Sequence, residues 1–140
     1  MKVYKANRKG PINYILISAF ILPFLIFFLD KSTFAEKPFI LLTLLIPIIL
    51  ILWIYFDTYY QIENDKLKYK SGFIKGEIDV REISKIIKEK TMWSGIKPAL
   101  AKKGLIIKYN RYDEIYIAPE SNNEVVKHLL TINKNIEIVE

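Results

Sequence analysis

At 140 residues, with 51% hydrophobic and 26% charged side chains and no cysteine, the chain has one domain's length and no route to disulfide or thiol chemistry. Its net charge of +6 is uneven: four positives precede residue 12, and the 84 residues from Asp57 hold fifteen basic against thirteen acidic side chains, a balance of +2. So small an excess argues against nucleic acid as a partner.

Residues 1–11 form a basic arm that holds Lys2, Lys5, Arg8 and Lys9 and no acid. Two uncharged runs follow, "INYILISAFILPFLIFFL" at 12–29 and "FILLTLLIPIILILWIYF" at 39–56, each of eighteen residues. As helices they would be about 27 Å long, close to the hydrocarbon thickness of a bilayer. Neither carries the polar stripe of a buried soluble helix. The first run exceeds the usual signal-peptide core of about 7–15 residues and a second follows at once, which argues against cleavage near Thr33 and Ala35. Residues 12–56 are therefore expected to be a transmembrane hairpin. Its connection, "DKSTFAEKP", balances two acids against two lysines, so the basic arm and the positive-inside bias place both termini in the cytoplasm. Tyr14, Trp53, Tyr55, Tyr59 and Tyr60 then fall at the inner interface, where amphipathic rings are favoured. The expected location is the cell's inner or plasma membrane, with two passes.

The spans contain no Asp, Glu, Lys, Arg or His, which speaks against transport by this chain alone. Pro23 and Pro47 are each about ten residues, roughly 15 Å, from the cytoplasmic end, so matched kinks would let the helices pack. The hairpin reads as an anchor.

From Tyr59 the apolar period changes to two. Tyr59–Glu63 and Lys66–Ser71 read as a hairpin turning at Asn64-Asp65, with Leu67 and Tyr69 on its inner face. "EIDV", residues 77–80, reads as a short third strand. A turn is expected at Arg81–Ser84, then a strand over Lys85–Thr91. Leu105–Tyr109 and Glu114–Ala118 make a second hairpin through Asn110–Asp113. In "SNNEVVKHLL", Ser121 and Glu124 have capping-box spacing, and Val125, Val126, Leu129 and Leu130 form an apolar stripe. Residues 57–140 are thus read as a cytoplasmic domain of about six strands and one C-terminal helix. Its small core would gain stability from docking.

Four phrases in this order, "YYQIENDKLKYKSG" (59–72), "IDVREISKI" (78–86), "KPALAKKGLIIKY" (97–109) and "EIYIAPES" (114–121), resemble the bacterial PH-like family of the YyaB-like type. The resemblance covers Tyr59 to Ile138, over half the chain. Relatives often carry serine where this chain has Ala101 and Ala118, so any polar role of those serines is missing. The resemblance implies a curved antiparallel sheet capped by a C-terminal helix. PH-like folds bind lipids, peptides and proteins alike, so it does not choose among these. The expected fold class is α+β, a two-helix transmembrane hairpin followed by a small PH-like antiparallel β-sheet domain with a C-terminal α-helix.

No catalytic set is evident. The lone His128 falls on the C-terminal helix one turn after Glu124, where pairing with that acid is the simplest expectation. One histidine and no cysteine make no transition-metal ligand set, so no metal or cofactor is expected. Gly72 and Gly76 lack a phosphate-loop pattern.

The segment 91–109, "TMWSGIKPALAKKGLIIKY", is the best remaining candidate. Trp93 with Lys97, Lys102 and Lys103 would suit a protein partner or anionic lipid headgroups, each basic residue contributing about 1 kcal/mol near a charged surface. Alternatively, Trp93 packs over the open end of the sheet while Pro98, Ala99 and Leu100 seal the core, which the burial habits of tryptophan favour. The expected function is a non-enzymatic scaffold or regulatory module held at the cytoplasmic membrane face. The alternative is immunity against a membrane-active peptide.

Overall fold

A computed structural model describes residues 1–140. The uncharged runs form two long helices, α1 (Pro11–Leu29) and α3 (Ile40–Asp57), joined by the short α2 (Lys31–Glu36). Asp30 caps α2 by accepting from the Ser32 N–H and hydroxyl, and these bonds hold its carboxyl below the ordinary carboxylate range. By length and composition α1 and α3 could each cross a membrane. No residue of α1 is buried and only Ile48 of α3 is.

The remaining chain folds as β1 (Lys2–Lys5), β2 (Tyr59–Glu63), β3 (Lys66–Ser71), β4 (Ile74–Asp79), β5 (Ile83–Lys90), β6 (Gly104–Tyr109), β7 (Asp113–Ile117), α4 (Asn122–Ile132) and β8 (Glu137–Val139). One sheet has the order β1-β2-β3-β4 and the other β7-β6-β5-β8, with every pairing antiparallel except β5 with β8. Beyond β1, the Asn7 N–H donates to the Ala118 carbonyl at 2.7 Å and the Glu120 N–H to the Lys5 carbonyl at 3.0 Å. These bonds stitch the start of one sheet to the end of the other.

The β2–β3 hairpin has the expected bounds, and its turn residues Asn64 and Asp65 take φ of 51° and 59°, as a two-residue primed turn requires. The third strand starts earlier than expected, at Ile74. The turn after it is tighter, a 3-10 turn at Val80–Glu82 in which the Asp79 carboxylate accepts from the Arg81 N–H. Ser121 caps α4 by accepting from the Glu124 N–H. Two strands are additions to the expected six. β8 has only three residues, too short for its period to be read. β1 lies in the basic arm, pairing Lys5 with Tyr59 and Lys2 with Ile62. The helical hairpin is thus an insertion between two neighbouring strands of one sheet.

The core joins both sheets and α4. Tyr4, Tyr60, Ile62, Leu67 and Ile78 from the first sheet meet Ile86, Leu105, Ile107, Ile115 and Ile117 from the second, and Val125, Val126 and Leu129 close one end. Tyr60 belongs to this core and not to an aromatic interface belt, because alternation along β2 turns it inward. His128 also departs from expectation. Its Nδ1 lies 2.8 Å from the Tyr4 hydroxyl, while Glu124 pairs with Lys2 at 3.6 Å.

The root of the hairpin is tied to the sheets. Thr58 donates its hydroxyl proton to the Ile54 carbonyl at 2.6 Å. A hydroxyl has one proton, so the 2.8 Å contact with Ser71 is donated by Ser71. Beside it, Lys70 meets Asp57 at 3.0 Å, and this bond raises the Lys70 pKa.

Candidate functional site

The segment between β5 and β6 is long, yet its backbone is pinned at several points. β5 ends in a bulge, with Glu89 at φ 58° and the register shifting between Lys88 and Lys90. The Tyr60 hydroxyl, fully buried, donates to the Pro98 carbonyl at 2.6 Å and accepts from the Ala118 N–H at 3.0 Å. Burial pushes its pKa well above that of an ordinary phenol. Tyr116 repeats the device, donating to the Ala101 carbonyl at 2.8 Å and accepting from the Gly104 N–H at 2.9 Å. The Tyr116 N–H holds the Ile96 carbonyl at 3.1 Å, and the Thr91 hydroxyl receives the Lys103 N–H at 3.1 Å. Two buried phenols therefore give the loop a fixed path.

Along that path, Pro98 and Leu100 are buried, so this portion does seal the core. Met92, Ala101, Tyr116 and Ala118 form a second small cluster. Ala101 and Ala118 thus share one buried apolar cluster.

Trp93 is not part of that seal. It is 82% exposed and Ile96 is 48% exposed, so the loop tip presents an aromatic and an aliphatic side chain outward. The physical reason is the backbone: bonds at Ile96, Pro98 and Ala101 fix the chain to β7 and Tyr60, and residues 93–95, which precede them, are left outside, with the Ile96 side chain also exposed. Lys102 and Lys103 are exposed and Lys97 is half-buried. None of Lys97, Lys102 and Lys103 has an acidic partner, whereas strand lysines such as Lys66, Lys68, Lys85 and Lys108 each pair with a carboxylate. No Asp or Glu occurs from residue 90 to residue 112, so the loop's charge is uncompensated by its own segment.

The four candidate residues share one loop but divide between two sides. Lys97 and Lys102 line a cavity of about 210 Å³ together with Pro11, Ile12 and Ile15 of α1 and Met92, Ala99 and Tyr116. Trp93 and Lys103 lie outside it, and the Lys103 carbonyl accepts from Asn122 at 2.9 Å. The α1 contribution was not foreseen, because nothing in a uniformly apolar run marks which side chains will touch a soluble domain. Tyr112, in the turn between β6 and β7, and Phe73, in the β3–β4 turn, are exposed aromatics as well. A Cβ on the neighbouring Gly72 would stand 2.8 Å from Ile54, so this turn also abuts the hairpin root. No group of three or more His, Cys, Asp or Glu side chains is disposed to hold a metal ion.

A sheet pair closed by one helix that follows the last antiparallel strand is the form of a PH-like domain. Residues 58–133 match the bacterial PH domain family, and the chain belongs to that family. Along 97% of its length it is 29% identical, over 144 residues, to the uncharacterized protein YyaB of Bacillus subtilis (strain 168), of which 96% is covered. No solved structure matches.

Proposed function

We propose that this chain is a two-pass protein of the cytoplasmic membrane that holds a non-enzymatic PH-like interaction module at the inner face, as a scaffold or regulatory subunit. The observation that carries this is the insertion of the hairpin between β1 and β2. Because Lys5 pairs with Tyr59, both ends of the hairpin must stay on the domain's side of the bilayer. The basic arm and the positive-inside bias then favour the cytoplasm. Trp93 is the residue offered outward, on a loop whose Lys97, Lys102 and Lys103 have no acidic partner. An exposed aromatic among unpaired lysines suits a partner surface that is partly apolar and acidic.

The chain's lack of cysteine makes the topology simple to test. Ser32→Cys, in the connection, should react with a membrane-impermeant maleimide in intact cells, and Ser94→Cys only after permeabilisation. The reverse pattern would overturn the topology. A photo-crosslinking amino acid in place of Trp93 should capture one recurring protein, and Lys102→Glu/Lys103→Glu should abolish that capture. Lipid adducts alone at this position would sink the scaffold role.

A further inference from the structure

The inner side of the same loop forms a second, chemically different surface. Its cavity lies between the first turns of α1, Ile12 and Ile15, and Met92 and Ala99 of the loop, with Lys97 and Lys102 as its only charged lining residues. No acid lines it, and neither lysine has an ion-pair partner. At about 210 Å³ it is smaller than the roughly 300 Å³ at which whole-ligand pockets begin, so it suits one end of a longer molecule. Other hollows lack this pairing. The crevice among Pro23, Phe24, Phe27 and Phe28 has no charged lining residue, and the hollow at Asn7, Arg8 and Lys9 includes Glu120.

We infer that this cavity holds a single anionic glycerophospholipid, with its phosphate at Lys97 and Lys102 and the start of one acyl chain against Ile12, Ile15 and Met92. Two observations select this occupant. Uncompensated positive charge meets apolar lining at one place, which matches an amphiphile with an anionic head. That place is also where an apolar helix leaves the domain, so on the membrane-spanning reading on which this inference rests, a lipid reaches it laterally without leaving the bilayer. Lys97 is already half-buried, and its stem is suited to lie along apolar surface while the ammonium meets a headgroup. A neutral zwitterionic lipid would bring its own cation to the same lysines and lose the charge match.

The test uses the full chain in detergent, with native mass spectrometry reading lipid retention. Phosphatidylglycerol should be retained in one-to-one stoichiometry at least tenfold better than phosphatidylcholine of the same chain length. Lys97→Gln/Lys102→Gln should weaken phosphatidylglycerol retention roughly ten- to thirtyfold, the effect expected of two basic contacts. Lys127→Gln/Lys134→Gln removes equal charge around α4 and should change nothing. Ala99→Met, which fills the cavity and leaves both lysines in place, should weaken retention as well. Equal retention of the two lipids, or full retention by Lys97→Gln/Lys102→Gln, would overturn the site. So would binding of soluble glycerol phosphate as tight as that of the lipid, since the acyl contacts would then contribute nothing. A correct cysteine-labelling topology beside any of these failures would leave the anchor standing and remove the lipid site alone.

Discussion

The Arg8 side chain donates from Nε to the Tyr55 carbonyl at 3.0 Å, so a residue that precedes the first long helix caps the end of the second. Its Nη2 reaches the Phe56 carbonyl at 3.4 Å, and its guanidinium lies 5.2 Å from the centre of the Tyr55 ring. The last carbonyls of a helix have no partner within it, and a cation there also meets the negative end of the helix dipole. Arg8→Ala should lower the stability of the full chain in micelles by about 1–2 kcal/mol, measured by thermal unfolding. Arg8→Lys should recover only part of the loss, because an ammonium lacks the planar fork and the stacking face. Equal stability of Arg8→Ala and the parent would show that the root is held by packing alone.

Tyr60 links three separated segments through one hydroxyl. Tyr60→Phe would leave the Pro98 carbonyl and the Ala118 N–H buried without a partner, which should cost about 1–3 kcal/mol in chemical denaturation. The pH dependence follows from the direction of its shift. Burial raises the folded-state pKa above the ordinary phenol value of 10.0, so the fold binds this proton more tightly than the unfolded chain does. The resulting stability is complete below pH 10.0 and is lost as pH rises from there toward the folded-state pKa. Unfolding free energies between about pH 8 and 11 should therefore fall less steeply in Tyr60→Phe than in the parent. Some slope will remain, since burial also raises Tyr69 and Tyr109. Parallel curves for the two proteins would refute the account.

Gly72 couples the β3–β4 turn to α3. It adopts φ +59°, and a Cβ there would approach the Ile54 Cγ1 to 2.8 Å. Gly72→Ala meets both obstacles and should cost at least about 1–2 kcal/mol in thermal unfolding. Gly72→Asn tolerates the backbone conformation but not the lack of space. It should stay destabilised, whereas pairing Gly72→Asn with Ile54→Ala should restore part of the loss.

What could be read from the residues depended on how local the deciding interaction was. The β2–β3 hairpin and the α4 cap were legible because alternation, Asn64-Asp65 and Ser121 act within a few positions of themselves. β1 was not. Lys2, Lys5, Arg8 and Lys9 read as a charge signal, but the strand character of β1 depends on β2, on the far side of the whole hairpin. His128 failed for the same reason: its nearest acid in sequence was Glu124, while its partner, Tyr4, comes from that unseen strand. At the candidate site, composition pointed to the loop and its lysines. It left the direction of Trp93 undecided, because that direction is imposed by Tyr60 and Tyr116 from other strands.

The placement of β1 also sets an order of events in making the protein. The first strand synthesised has no neighbour until β2 has followed the two helices, and its second set of bonds waits for residues 118–120. Pairing of such late-arriving segments closes a long loop and is intrinsically slow. A chain with only one helix inserted would hold β1 and β2 on opposite sides of the bilayer. Tyr4 and Ala6 would then be missing from the core, leaving it incomplete and the backbone open to proteases. On the proposed two-pass reading, closure of the sheet is therefore a checkpoint for complete membrane insertion, built into the connectivity itself.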